Sequence, residues 1–151
     1  MAEDDKNQEQ DEPRRQFSGA GEMALHVLCF AISVGHIYVA FDPIISELQR
    51  NAYHFAGFAF LAAAYNPMFT GQARSRGMLI FDLVFGALIA AAAIYLPFAE
   101  TPIYDRGVNL IWLDWVAIAL CIIGGIELTR RLTGLVIPIL VILSLTYVGL
   151  W

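Results

Sequence analysis

The chain has 151 residues, of which 58% are hydrophobic and only 15% charged, against roughly 25% charged in an ordinary soluble domain. The net charge of −5 describes mainly one end: Glu3, Asp4, Asp5, Glu9, Asp11 and Glu12 supply six of the fourteen acids. Lys6 is the single lysine and no basic patch is interleaved with aromatics, so nothing points to nucleic acid. The composition is that of a membrane protein.

Residues 1–16 are acidic, Gln-rich and without apolar periodicity, and the boundary at residue 20 is expected to separate a disordered cytoplasmic tail from a transmembrane domain over 21–151. The negative charge and the late start of the first apolar run argue against a cleaved secretory signal. Five apolar segments follow, at about 23–41, 53–69, 78–98, 110–128 and 132–151. Each reaches the ~17–25 residues that a helix needs to cross a bilayer, the second most narrowly. Helices are the open-chain solution in lipid, which offers no partner for free N–H and C=O groups. The expected fold is therefore an all-α integral membrane protein. It is a bundle of four to five transmembrane helices with a short interfacial amphipathic helix after the first. That short helix is expected around 43–51, with Asp42 as N-cap, Pro43 in the first turn, and Ile44, Ile45 and Leu48 on one side. The connection 99–109, with Pro102 and Gly107, reads as a loop.

Basic residues orient the chain. Lys6, Arg14, Arg15, Arg74, Arg76, Arg130 and Arg131 fall on one side of a five-span topology, and Arg50 and Arg106 on the other. The positive-inside bias places the N-terminus in the cytoplasm. Tyr38, Phe41, Tyr53, Tyr95, Phe98, Tyr104, Trp112, Trp115, Tyr147 and Trp151 then gather at the outer ends as an interfacial belt.

Polar residues inside apolar helices are functional candidates because their burial is costly. Three stripes follow helical spacing: His26, Cys29, Ser33, His36 and Ala40; Asp82, Gly86, Ala90 and Ala93; Asp114, Ala117, Cys121 and Gly125. They can be packing seams, in which small residues let helices approach, a polar path for ions or protons, or a partner interface. His36 and Asp82 are expected as helix-packing polar groups. Haem ligation requires a facing pair of histidines. His26 and His36 share a helix about 15 Å apart, and His54 is expected at the very start of its segment. Cys29 and Cys121 lie in apolar runs with no metal-ligand spacing, and no cofactor is expected. Glu127 can pair with Arg130 and Arg131 at i+3 and i+4. These three, with Asp114, are candidates for a partner or scaffold interface. With no phosphate loop, nucleophile motif or metal-ligand set, the chain is not expected to be an enzyme.

The run Ile126-Glu-Leu-Thr-Arg-Arg-Leu-Thr-Gly134, followed by Pro138 and Tyr147-Val-Gly149, resembles the "LEATRR-x-x-G" signature in the four-helix region of tripartite ATP-independent periplasmic (TRAP) transporters of the TAXI subgroup. Leu128 stands where that family usually has Ala. Leu48-Gln-Arg-Asn-Ala-Tyr-His54 similarly resembles the family's "LQRAIH" stretch. The resemblance covers about residues 22–151. It implies the small membrane scaffold subunit of a system that imports organic acids on an ion gradient across the bacterial inner membrane. Its partners would be a large permease subunit, separate or fused, a periplasmic TAXI-type substrate-binding protein, and membrane lipids. Trp151 falls where a fused chain would continue. The alternatives are the small membrane subunit of a tripartite tricarboxylate transporter and a haem-bearing respiratory anchor.

Overall fold

A computed structural model describes residues 14–41, 44–69 and 75–150, with the Leu150 side chain excepted. The described residues form five helices and no strand: α1 Ala20–Phe41, α2 Glu47–Tyr65, α3 Arg76–Asp105, α4 Trp112–Thr133 and α5 Val136–Leu150. Of these, α1, α3 and α4 are long and apolar enough to cross a membrane. The 30 residues of α3 make a rod of about 45 Å, longer than the ~30 Å hydrocarbon core of a bilayer. The 15 residues of α5 reach only about 22 Å.

The helices run alternately up and down, and α2 and α3 form the tightest pair. Ala52, Ala56, Ala59, Ala63 and Ala64 of α2 are buried. A Cβ on Gly86 of α3 would lie 2.7 Å from the Ala63 Cβ and 3.3 Å from the Phe60 Cα. Absence of a side chain at Gly86 is therefore what lets the two backbones meet. Gly124 does the same for α4, where an added Cβ would stand 2.5 Å from Ile89 Cδ1. Ile89 is wholly buried and packs with Ala59, Ala63 and Leu128 as the centre of the core. A second cluster, Leu25, Leu61 and Ala64, joins α1 to α2. Alanine and polar residues lower the hydropathy of α2, yet its central position makes a lipid-facing apolar surface unnecessary. By contrast, α1 and α5 expose Met23, Phe30, Ile37, Leu140, Leu143 and Val148 among many large apolar side chains.

Several boundaries differ from the sequence reading. Ser46, not Asp42, caps the helix that begins at Glu47: its hydroxyl accepts from Gln49 N at 3.2 Å, and its own N–H donates to Gln49 Oε1 at 3.2 Å. Residues 47–51 are thus the first turn of α2 and not part of a separate helix, while Asp42 and Pro43 lie outside the described residues. α2 stops at Tyr65 because Pro67 forces Asn66 into extended geometry. α3 continues through Pro97 and Pro102 to Asp105 and absorbs more than half of the expected loop. Its end is a Schellman turn, with Val108 N–H donating to Ile103 O at 2.9 Å, Gly107 N–H to Tyr104 O at 2.9 Å, and Gly107 at φ 66.

The buried seams also shift. Leu25, Leu28, Cys29, Ile32, His36 and Val39 form the covered face of α1, whereas His26 and Ser33 are exposed. On α3 the buried positions are Asp82, Gly86, Ile89, Ala92, Ala93, Pro97 and Ala99, with Ile89 in place of Ala90. On α4 they are Asp114, Ala117, Gly124 and Leu128. A strict four-residue stripe drifts around a 3.6-residue helix, so a seam alternates steps of three and four.

Candidate functional site

Among the described residues, the buried carboxylates and their arginine partners collect into two clusters at opposite ends of the bundle. The first is built on the C-terminus of α2. A helix end leaves its last carbonyls without partners and carries partial negative charge. Two arginines meet that need. The Arg15 backbone N–H donates to Tyr65 O at 2.8 Å, and Arg15 Nη1 donates to Ala64 O at 2.9 Å. Arg131 Nη1 donates to Asn66 O at 3.1 Å. Between the two guanidinium groups lies Asp82, fully buried, whose Oδ2 accepts from Arg15 Nη2 at 3.0 Å and Oδ1 from Arg131 Nη1 at 2.8 Å.

The end of α4 completes this cluster. Glu127 accepts from Arg130 Nε and Nη2, each at 2.7 Å, and from Arg131 Nε at 3.0 Å. The i+3 and i+4 pairs thus form as their spacing allows. Arg130 Nη2 also donates to Met68 O at 3.1 Å. The Arg131 guanidinium lies 5.2 Å over the Phe85 ring, a cation–π contact. Three arginines and two carboxylates from the N-terminal segment, α3 and α4 are thereby joined with the end of α2.

At the other end, Asp114 is the hub, again fully buried. It sits in the first turn of α4 and accepts from Ile111 N at 2.9 Å, which satisfies one of the orphan donors of that helix start. Tyr95 of α3 donates its hydroxyl to Oδ1 at 2.6 Å, and Arg106 Nη2 donates to Oδ2 at 2.8 Å. The Schellman turn folds the chain back so that Arg106 reaches forward to Asp114. Arg106 Nε donates to Asn109 O at 3.2 Å, and Asn109 Nδ2 returns a bond to Arg106 O at 3.0 Å. Asp114 therefore ties α3, the turn and α4 together.

These positions bear on the sequence candidates. Asp82 lies buried between Arg15 and Arg131, and His36 donates through Nδ1 to Ile32 O at 2.8 Å. Among the expected interface residues, Asp114 and Arg131 are turned into the bundle, the side chain of Arg131 being 1% exposed. Arg130, at 37%, is the one with substantial exposure. Burial follows from the carboxylates and helix-end carbonyls that these cations neutralise. Arg15, assigned by its acidic neighbourhood to a disordered tail, is instead docked and buried, while residues 1–13 of that tail lie outside the described residues.

Tyr95, Arg106 and Arg15 are the members that sequence reasoning missed. A signal existed, since an aspartate within an apolar helix requires a named cationic or hydroxyl partner. His54 lies two turns into α2, deeper than expected, and its ring meets His36 edge-on at 4.6 Å between centroids. Among the described residues no group of three or more His, Cys, Asp or Glu side chains could hold a metal ion. No protein-family model, curated protein or solved structure matches the chain.

Proposed function

We propose that the chain is a membrane scaffold: the small subunit, free or fused, of a TRAP-type transporter of the TAXI subgroup, supporting a large permease that takes up organic acids on an ion gradient. The observation that carries the scaffold reading is the closure of both polar clusters. Asp82 and Asp114 are each neutralised by arginine inside the chain, and the middle of the core between them is Gly86, Ile89, Ala93, Ala117 and Gly124. A path for ions or organic anions needs ionisable or polar groups along its length, and this middle is apolar. The permease assignment rests on the Glu127-Leu-Thr-Arg-Arg131 and Leu48-Gln-Arg50 resemblance.

In this reading α1, α3 and α4 span, α2 crosses inside the bundle, α5 enters the membrane beside α4, and the polar first turns of α2 from Glu47 to His54 lie at the outer interface. The Arg131 cluster faces the cytoplasm with the N-terminus, as the arginine bias requires. The exposed apolar faces of α1 and α5 meet lipid and permease. Purification of the tagged chain from its native bacterial membranes in mild detergent, followed by mass spectrometry, tests the assignment. A much larger multi-pass permease at equal stoichiometry is expected. Isolation alone, or with haem or flavin subunits and a Soret band, would overturn it.

A further inference from the structure

At the Asp114 end, a pocket of about 240 Å³ opens between the last turns of α1 and the first turns of α2, lined by Ile32, Gly35, His36, Val39, Arg50 and Tyr53. It belongs to neither ion-pair cluster. Among the described residues, two of its polar atoms are buried without a hydrogen-bond partner: His36 Nε2 and Arg50 Nε. Arg50 makes one long contact besides, from Nη2 to Ile45 O at 3.5 Å. The rest of the lining is largely apolar, and a Cβ added at Gly35 would meet nothing within 4 Å, so the groove is open along α1.

Native structures rarely leave buried polar atoms without partners, and a donor and an acceptor around one cavity call for a ligand. Arg50 repels a cation there. A neutral polar group leaves the guanidinium uncompensated. An anion accepts from Arg50 Nε, while His36, with Nδ1–H on Ile32 O, offers Nε2 to a hydroxyl of the same ligand. The titratable and charged groups facing His36 are Arg50, Tyr53 and His54, all on α2. The apolar walls and the open groove at Gly35 add an aliphatic requirement. An anionic phosphodiester attached to acyl chains meets both.

We propose that this pocket binds the headgroup of a membrane phospholipid, with its phosphate on Arg50, a headgroup hydroxyl on His36, and an acyl chain lying in the groove over Gly35. The site is independent of the permease assignment and requires only that the chain sit in a bilayer. The test is native mass spectrometry of the full chain in detergent with dioleoylphosphatidylglycerol, dioleoylglycerol or inorganic phosphate. The phosphatidylglycerol adduct is expected to persist, with dioleoylglycerol bound at least about tenfold more weakly and excess phosphate failing to displace the lipid. Arg50→Gln is expected to weaken the adduct about tenfold, the usual scale for one charged hydrogen bond. Gly35→Leu, which fills the groove and keeps both polar groups, should weaken it comparably. Arg76→Gln, an exposed cation near the opposite end, should leave it unchanged. Equal retention of dioleoylglycerol, or unchanged binding in Arg50→Gln or Gly35→Leu, would overturn the proposal. Displacement by phosphate would also overturn it, by assigning the pocket to a free anion.

Discussion

Replacing Asp82 by Asn keeps the shape of the side chain and removes its charge. The wild-type carboxylate stands between Arg15 at 3.0 Å and Arg131 at 2.8 Å, with the side chains 5% and 1% exposed. In Asp82→Asn both cations stay buried, Arg131 keeps Glu127, and Arg15 loses the carboxylate of Asp82. Removing one partner of a buried ion pair costs about 3–5 kcal/mol, because the remaining charge is uncompensated. For a chain of this size that corresponds to a fall in Tm of roughly 10 °C, readable by thermal unfolding of the purified protein in detergent. The double variant Asp82→Asn/Arg15→Gln should lose less stability than the sum of the two single variants, because the two side chains bond each other directly. Hydrogen exchange should also rise at the Arg15 amide, which donates to Tyr65 O. A fall of less than about 3 °C, the scale of an exposed ion pair, together with additive variants, would refute the claim that this cluster joins the N-terminal segment to the bundle.

Other expectations concern separate parts of the fold. Gly86→Val should destabilise by more than 1 kcal/mol, within the roughly 1–3 kcal/mol usual for overpacking, because its Cβ would meet Ala63 and the Phe60 backbone; unchanged thermal stability would argue against the close approach of α2 and α3. Tyr95→Phe should speed hydrogen exchange across 106–111, since it removes the hydroxyl that orients Asp114, with the Arg106 bond left to hold the turn. With the N-terminus inside, a cysteine at Asn109 should react with impermeant maleimide from the outer face of the membrane, and one at Ser75 only after the membrane is opened. The reverse pattern would invert the topology.

Much of the helical plan is legible in hydropathy, because apolar runs of this length have few ways to satisfy their backbones in lipid. Helix ends are less legible. Ser46 displaces Asp42 as a cap through its reciprocal bonds with Gln49, and the prolines at 97 and 102 suggest an ending that α3 does not make until the Gly107 turn. The site is half legible. Glu127, Arg130 and Arg131 announce themselves by spacing, because their contacts with one another are local. Arg15 and Asp82 are 67 positions apart, and Arg131 and Asp82 are 49 apart. No periodicity links them, and only the need of a buried carboxylate for a cation does. Arg15 was further obscured by the six acids before it, which give its neighbourhood the composition of a tail. Tyr95 fits an interfacial aromatic belt equally well, and its bond to Asp114 depends on how α3 and α4 are set against each other by Gly124.

The scaffold assignment is tested most directly by photo-crosslinking in native membranes, with the crosslinker placed in turn at Phe30 of α1 and Leu140 of α5, both exposed on apolar faces, and at buried Ile89 as the internal control. A scaffold seated beside a permease should give a single adduct with one large multi-pass membrane protein, or with the permease part of the same chain if the two are fused, from at least one exposed site and none from Ile89. Adducts with lipid alone from both exposed sites would contradict it.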